Sequence, residues 1–367
     1  MSSDKSPVRY GIIGSGMMGQ EHIRNIALLD GAEVVSLADP DECMREQAAS
    51  LAGGNCQSFP DHRDMLSAGG IDALLIASPN HTHIDILRDA MPADLPILTE
   101  KPLATTVEDC QEILAMQERR TAPVWVAMEY RFMPPVARLL DEIDKETPGQ
   151  VRMFSIREHR YPFLDKIGGW NRHNINTGGT LVEKCCHHFD LMRLSAKSEP
   201  VRVFASGGMD ANHLDEVHPD GAPDIIDNAF VIVDFANGVR GMLDLCMFAE
   251  AAYWQEILTA TGDKGRVEAF IPGPSRFNTD GEMRHAEIAI ADRASRSEKR
   301  ETVHVDETVL EAGDHHGSTF FQHEKFIEMV RNGGVPDVSL NDGFKAVMIG
   351  VAAEKSARSG KVVELQF

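Results

Sequence analysis

The chain has 367 residues, 43% hydrophobic and 25% charged, with 30 Gly and 18 Pro, a composition that excludes a disordered or fibrous protein and a length that suits two domains. Lys and Arg number 36 against 57 Asp and Glu, a formal charge of −21, which argues against nucleic acid as the main partner. No run approaches the roughly 18 apolar residues of a membrane span, and the six cysteines include no C-x-x-C pair, so free thiols in a reducing cytoplasm are expected.

Met1–Pro7 lacks the basic-then-apolar layout of a signal peptide, which also points to the cytoplasm. Arg9–Ile13 reads as a short strand running into Gly14-Ser15-Gly16-Met17-Met18-Gly19, and a helix with Ile23, Ile26 and Leu29 on one face follows. Strands Glu33–Ala38, Gln57–Phe59, Ala73–Ser78, Pro96–Thr99 and Val124–Met128 then alternate with helices Asp41–Leu51, His81–Met91 and Val107–Gln117. That alternation predicts βαβ crossovers and a parallel sheet, a Rossmann dinucleotide-binding domain over residues 1–126. From 127 to 367 the strands lengthen and pair locally: Val151–Arg157, Val201–Ser206, Asn228–Phe235, Arg240–Phe248, Glu256–Thr261 and Arg266–Phe270. Asn237-Gly238 carries a two-residue hairpin signal. Helices near Ser318–Arg331 and Asp342–Ser359 close the chain, the last positioned to pack back on the first domain. The fold class is α/β, with a C-terminal α+β domain built on a largely antiparallel open sheet.

The glycine loop follows a strand, opens a helix, and is followed 20 residues later by Asp39, the context a dinucleotide fingerprint requires. Gly14 permits the tight turn, Gly16 the approach of a pyrophosphate, and Gly19 close helix–strand packing. Asp39 would bind the adenosine ribose hydroxyls and repel a 2′-phosphate, which favours NAD over NADP. Ser78-Pro79-Asn80, with His83 beyond it, and Glu100-Lys101-Pro102 end two further parallel strands, at the edge where open α/β sheets bind ligands. A lysine there donates to a substrate hydroxyl and stabilises developing negative charge. Read as one helix entered from Gly178-Gly179, the segment to Asp190 sets Glu183, His187 and Asp190 within about 60° of one another on one face. A carboxylate one turn from a histidine orients it as a general base. Lys101 and His187 are interchangeable as proton acceptor on residue type alone; the assignment taken is His187 as acceptor with Glu183 as its partner, and Lys101 as alkoxide stabiliser.

These motifs, with Asp342-Gly343 and Ala357–Lys361 near the end, make the chain similar to the Gfo/Idh/MocA oxidoreductases, a family named after glucose–fructose oxidoreductase and inositol dehydrogenase. The resemblance implies that Lys101 is catalytic, that Glu183 and His187 form the family's carboxylate–histidine pair, and that Asp190 matches its next aspartate. Glu183 departs from the usual aspartate by one methylene. It further implies hydride transfer between a sugar, sugar acid or polyol and nicotinamide. Arg157, His159, Arg160, Trp170 and Arg172 are candidate substrate contacts, as are Asp190 and His315; Trp170 suits stacking on a sugar ring.

Two other functions compete with this one. An NAD-retaining glycosidase or lyase would use the same lysine and histidine for transient oxidation, whereas a non-catalytic sensor would need no proton-transfer set. His213, Asp215, Glu216, His218 and Asp220 offer metal-ligand types without a second anchor, so no metal is expected. In the strands near 228–248 apolar residues occupy both faces, which predicts a homodimer or homotetramer through the C-terminal sheet.

Overall fold

The computed structural model describes residues 6–366; the signal-peptide reading, which rests mostly on residues 1–5, lies outside them. The chain forms two compact units. One takes the residues up to Glu129 with Glu307–Gly313 and Gly317–Phe344, the other Tyr130–Asp306, Asp314–His316 and the stretch from Lys345 on.

In the first unit, strands β1 (Val8–Ile13), β2 (Ala32–Ala38), β3 (Gln57–Phe59), β4 (Ala73–Ile76), β5 (Ile97–Thr99) and β6 (Val124–Val126) alternate with helices α1 (Met17–Ile26), α2 (Glu42–Leu51), α3 (His62–Ala68), α4 (His83–Ala90) and α5 (Val107–Gln117). The sheet order is β3-β2-β1-β4-β5-β6, and every pair is parallel. All residues of β4, β5 and β6 are buried, as strands covered on both faces must be. Strand order reverses between β1 and β4, and a doubly wound sheet opens its ligand crevice at that switch point. The glycine turn emerges there. Helix α3 buries only Met65, so no apolar period announces it; its start is set by Asp61, which accepts from the Arg63 N–H at 2.8 Å.

The second unit begins with α6 (Pro134–Asp144), β7 (Val151–His159) and the short helices α7 (Asn174–Thr177), α8 (Thr180–Glu183) and α9 (Cys186–Ala196). Strands β8 (Pro200–Gly208), β9 (Asn228–Phe235), β10 (Arg240–Cys246), β11 (Glu256–Gly262), β12 (Gly265–Ile271), β13 (Ala286–Asp292) and β14 (Ser297–Val303) follow. The chain ends in α10 (Glu307–Glu311), α11 (Ser318–Asn332), α12 (Leu340–Ser359) and β15 (Val363–Glu364). The nine-stranded sheet runs β14-β13-β12-β11-β7-β10-β9-β8-β15; β7 and β10 are parallel and the other pairs antiparallel. Strand β14 is exposed along nearly its whole length. Its charged sequence carries no alternation to read and suits a sheet edge.

One face of this sheet carries the core: Val231, Val233, Leu243, Leu245, Phe154, Ile156 and Leu258 pack with Phe189 and Met192 of α9. The opposite face carries Phe204, Ile232 and Met242, which are cross-strand neighbours and remain exposed, as does Phe230 at 62%. The Asn237-Gly238 signal resolves differently from a two-residue loop. The Phe235 N–H bonds to the Val239 carbonyl at 3.0 Å, leaving three loop residues, and only Gly238 (φ +85°) is left-handed. This is a turn closed by a glycine bulge. Among the described residues no helix is long and apolar enough to cross a membrane.

Candidate active site

In the first unit the predicted cofactor residues gather at the carboxyl edge of the parallel sheet. Gly14 has φ +94°, and a Cβ there would lie 2.5 Å from the Ala77 carbonyl oxygen. A Cβ on Gly19 would sit 2.0 Å from the Gly14 carbonyl oxygen, so helix α1 approaches its strand only because that atom is missing. Above Gly16 a Cβ meets nothing within 4 Å; here the glycine leaves open ground. Helix α1 has no acidic residue in its first turn and no side-chain cap, so the positive end of its dipole is uncompensated by its own sequence. Asp39 Oδ2 accepts from the Ser15 N–H at 2.7 Å and Oδ1 from the Asp41 N–H at 2.9 Å, which fixes the carboxylate beside the loop.

Ser78 Oγ accepts from the Thr82 hydroxyl at 2.8 Å. His83 is fully buried, with Nδ1 2.9 Å from the Pro102 carbonyl oxygen and Nε2 3.1 Å from that of Ser78. Burial lowers its basicity, so the neutral ring donates to one carbonyl at a time and braces the loops after β4 and β5. Glu100 is buried, and its Oε2 accepts from the Lys101 N–H at 3.1 Å. Lys101 is half-buried.

In the second unit the expected single helix is two. Helix α8 ends at Glu183 and α9 starts at Cys186. Between them the Cys185 N–H reaches back to the Thr180 carbonyl at 3.4 Å, five residues rather than four, and the widened turn breaks the 100° step on which the common stripe rested. Close packing holds α8 in place: its Leu181 N–H donates to Glu354 at 2.9 Å, and a Cβ on Gly350 would lie 2.6 Å from the Leu181 carbonyl oxygen. Glu183, His187 and Asp190 are all buried.

His187 lies flat against Tyr130, ring centroids 4.1 Å apart and planes 7° from parallel; His315 flanks the same tyrosine at 5.9 Å. The Tyr130 hydroxyl accepts from the Lys184 ammonium, which also pairs with Glu158 Oε1 at 2.9 Å. His188 Nε2 stands 2.8 Å from Glu158 Oε2, and Arg160 3.4 Å from Oε1. Burial alone would raise the Glu158 carboxyl, yet Lys184, His188 and Arg160 hold it far below the usual carboxylate range. Its register partner Glu256 is pushed up by burial and by the charge on Glu158.

The remaining candidates divide by what already holds them. Both Asp190 oxygens engage Arg131, at 2.6 and 2.5 Å. Arg172 is 2% exposed and spans Glu216 and Asp165 at 2.9 and 2.6 Å. Glu216 also takes His213 at 2.6 Å and His218 at 2.9 Å, so the loop histidines and carboxylate form a pinned cluster, and the Glu216 carboxyl is lowered to about 2 by these three partners against its burial. His159 lies 3.1 Å from Asp244, Arg157 reaches the Trp254 carbonyl at 3.4 Å, and Trp170 is half-buried in the turn before α7.

Residues 8–128 match the oxidoreductase-family NAD-binding Rossmann fold, and residues 141–365 match that family's C-terminal alpha/beta domain. The chain belongs to the Gfo/Idh/MocA oxidoreductase family. It is 30% identical over 239 residues to the rhizopine catabolism protein MocA of Rhizobium meliloti, covering 65% of this chain and 70% of that one. Against the myo-inositol 2-dehydrogenase of Thermotoga maritima it is 25% identical, covering 98% and 99%. Levoglucosan dehydrogenase solved with NADH has the same fold, TM-score 0.80 at 21% identity, over 98% and 100% of the two chains.

The NAD-binding domain of this oxidoreductase has the features the dinucleotide needs. Besides the open ground over Gly16, Ser15 Oγ and Asn80 Nδ2 at the same edge are buried with no protein partner, an arrangement that costs stability unless a ligand satisfies them. Gly14–Gly19, Asp39 and the Ser78–Asn80 turn would hold the dinucleotide. Sequence reasoning about this oxidoreductase missed Tyr130, Arg131, Lys184 and His188. Each meets its partner only through the folded sheet and helices, and no spacing in the sequence signals that meeting.

Proposed function

We propose that this oxidoreductase transfers hydride between a secondary alcohol of a polyol, cyclitol, sugar or sugar acid and NAD. The observation that carries the reading is the glycine cradle at the carboxyl edge of the sheet, with two unpartnered buried polar atoms and Lys101 on the same edge. The names of its relatives, an inositol dehydrogenase and a levoglucosan dehydrogenase among them, support the substrate class. Bound NAD supplies the hydride acceptor. Lys101 donates to the alcohol oxygen and stabilises charge as its proton leaves; His187 takes that proton. Stacking on Tyr130 fixes the imidazole plane, and the family resemblance assigns Glu183 to the same ring as a positioning residue. The alcohol thus loses one hydride and one proton and becomes a ketone. Asp39, held by two backbone donors, cannot swing aside for a 2′-phosphate, which supports NAD over NADP. His159, Arg157, Trp170 and His315 offer substrate contacts, with Arg160; Arg172 and Asp190 serve by holding loop and helix. The exposed Phe204–Ile232–Met242 row is proposed to seat a second copy of the chain.

The test is a panel of cyclitols, sugars and sugar acids with NAD or NADP, read as reduced nicotinamide. On the best substrate Lys101→Met should lose about 10²–10³ in kcat and His187→Asn about 10²–10⁴, with NAD affinity kept. Glu183→Gln should lose less, and the double variant less than the product of the singles. Full turnover in Lys101→Met and His187→Asn overturns the reading; bond cleavage without net NADH replaces it with an NAD-retaining lyase or glycosidase.

A further inference from the structure

A line of buried polar side chains runs through the first unit from β1 to the residue before Lys101. Tyr10 of β1, His22 of α1 and His323 of α11 are all fully buried, and Glu100 is 4% exposed. The Tyr10 hydroxyl lies 3.3 Å from His323 Nδ1, His323 Nε2 lies 2.8 Å from His22 Nδ1, and His22 Nε2 lies 2.9 Å from Glu100 Oε1. The other Glu100 oxygen accepts from the Lys101 N–H. The two imidazoles meet edge to face at 87°, with ring nitrogens aligned. We infer that His22 and His323 are positioning residues for Lys101, acting through a Glu100 carboxylate that His22 holds and aims. The inference rests on the role proposed above for Lys101.

The contacts admit two proton directions, and the surroundings choose between them. If His22 is neutral, Tyr10 donates to His323 and His323 to His22. If His22 is an imidazolium, it donates both to Glu100 and to His323, and His323 donates to the tyrosine oxygen. The charged groups around His22 are Glu21 of its own helix, Glu100, with Lys101 beyond it, and Glu129 after β6; His323 faces it from α11. The Thr319 hydroxyl of α11 lies 3.1 Å from Glu21 and 2.7 Å from Glu129, so both carboxylates are held close. These carboxylates raise His22 despite its burial, whereas burial and the neighbouring His22 charge drive His323 well below its ordinary range. The arrangement proposed is therefore a cationic His22 and a neutral His323, with every donor pointing away from His22. A buried carboxylate without that cation would take a proton, and a protonated Glu100 is a weaker acceptor for the Lys101 N–H.

Two measurements test this on the full-length protein. Histidine-labelled nitrogen NMR at pH 7.5, assigned by loss of signals in His22→Gln and His323→Gln, should show both His22 ring nitrogens protonated and His323 protonated at Nδ1 alone; a neutral His22 overturns the inference whatever the enzyme turns over. In kinetics, His22→Gln keeps a donor for Glu100 but removes the charge, so the Glu100 carboxyl rises and the ionised form is lost as pH falls. Relative to the parent, the kcat profile should gain an additional acid limb, falling about a further tenfold per pH unit below its midpoint, with NAD affinity unchanged, and that additional limb should vanish in His22→Gln/Glu100→Gln. A His22→Gln profile parallel to the parent, or an additional limb that survives in the double variant, overturns the relay. An unaffected Lys101→Met instead overturns the catalytic reading and leaves the NMR result standing.

Discussion

Gly16 and Gly19 lie three residues apart in one motif, yet they should fail in opposite ways. Gly16 sits at φ −73°, ψ −161°, ordinary extended backbone for alanine, and its Cβ would touch no protein atom within 4 Å. Gly16→Ala should therefore leave stability unchanged or raise it by about 0.4–1 kcal/mol, since alanine has less unfolded-state entropy to lose. Its methyl group fills the ground assigned to the pyrophosphate. Pushing the dinucleotide off its charge-assisted backbone bonds costs about 1.5–3 kcal/mol, roughly a 10- to 150-fold loss of NAD affinity. Gly19→Ala drives a methyl to 2.0 Å from the Gly14 carbonyl oxygen, far inside contact distance. Helix α1 must shift, at about 1–3 kcal/mol or more, and the melting temperature should fall by several degrees. Thermal unfolding and calorimetric NAD titration of both variants separate the two effects. A Gly16→Ala protein that binds NAD like the parent refutes the proposed cradle; a Gly19→Ala protein that melts like the parent refutes the packing argument.

Asp39→Ala should weaken NAD binding and narrow its advantage over NADP, read by titration with both; a parent protein that prefers NADP refutes the assignment. The parent should scatter light as a multiple of the 40.4 kDa chain, and Ile232→Glu, at an exposed centre of the apolar row, should shift it toward single chains; a parent of one chain mass at micromolar concentration refutes the interface. His316 is held down to about 4 by burial and by nearby His285, while the unfolded residue titrates near 6.5. Between those values the unfolded state binds more protons, so stability should fall as pH drops from 6.5 toward 4. His316→Asn, which suits the left-handed φ of +51°, should flatten that slope in denaturant titrations at pH 4.5, 5.5 and 6.5. An unchanged slope assigns the effect to other groups.

Much of the first unit was legible because its signals are local. A glycine turn between strand and helix, an acid at the end of the second strand, and apolar runs at both parities each follow from the chain's own periodicity, and together they specify a parallel sheet and where its ligand edge lies. Tertiary contacts decided what periodicity leaves open. The step from Glu183 to His187 looked like one helical turn, but Gly350 and Glu354 of α12 hold the short helix in place, and the chain bends at Lys184-Cys185. His187 is oriented by the face of Tyr130, a residue 57 positions away, and Glu158 stays ionised because Lys184, His188 and Arg160 converge on it. Strand β14 was invisible because an exposed edge strand has no buried face to impose alternation. Backbone geometry is written in neighbouring residues and can be read there; the ionisation and orientation of a buried side chain depend on charges that only the folded chain brings within a few ångströms.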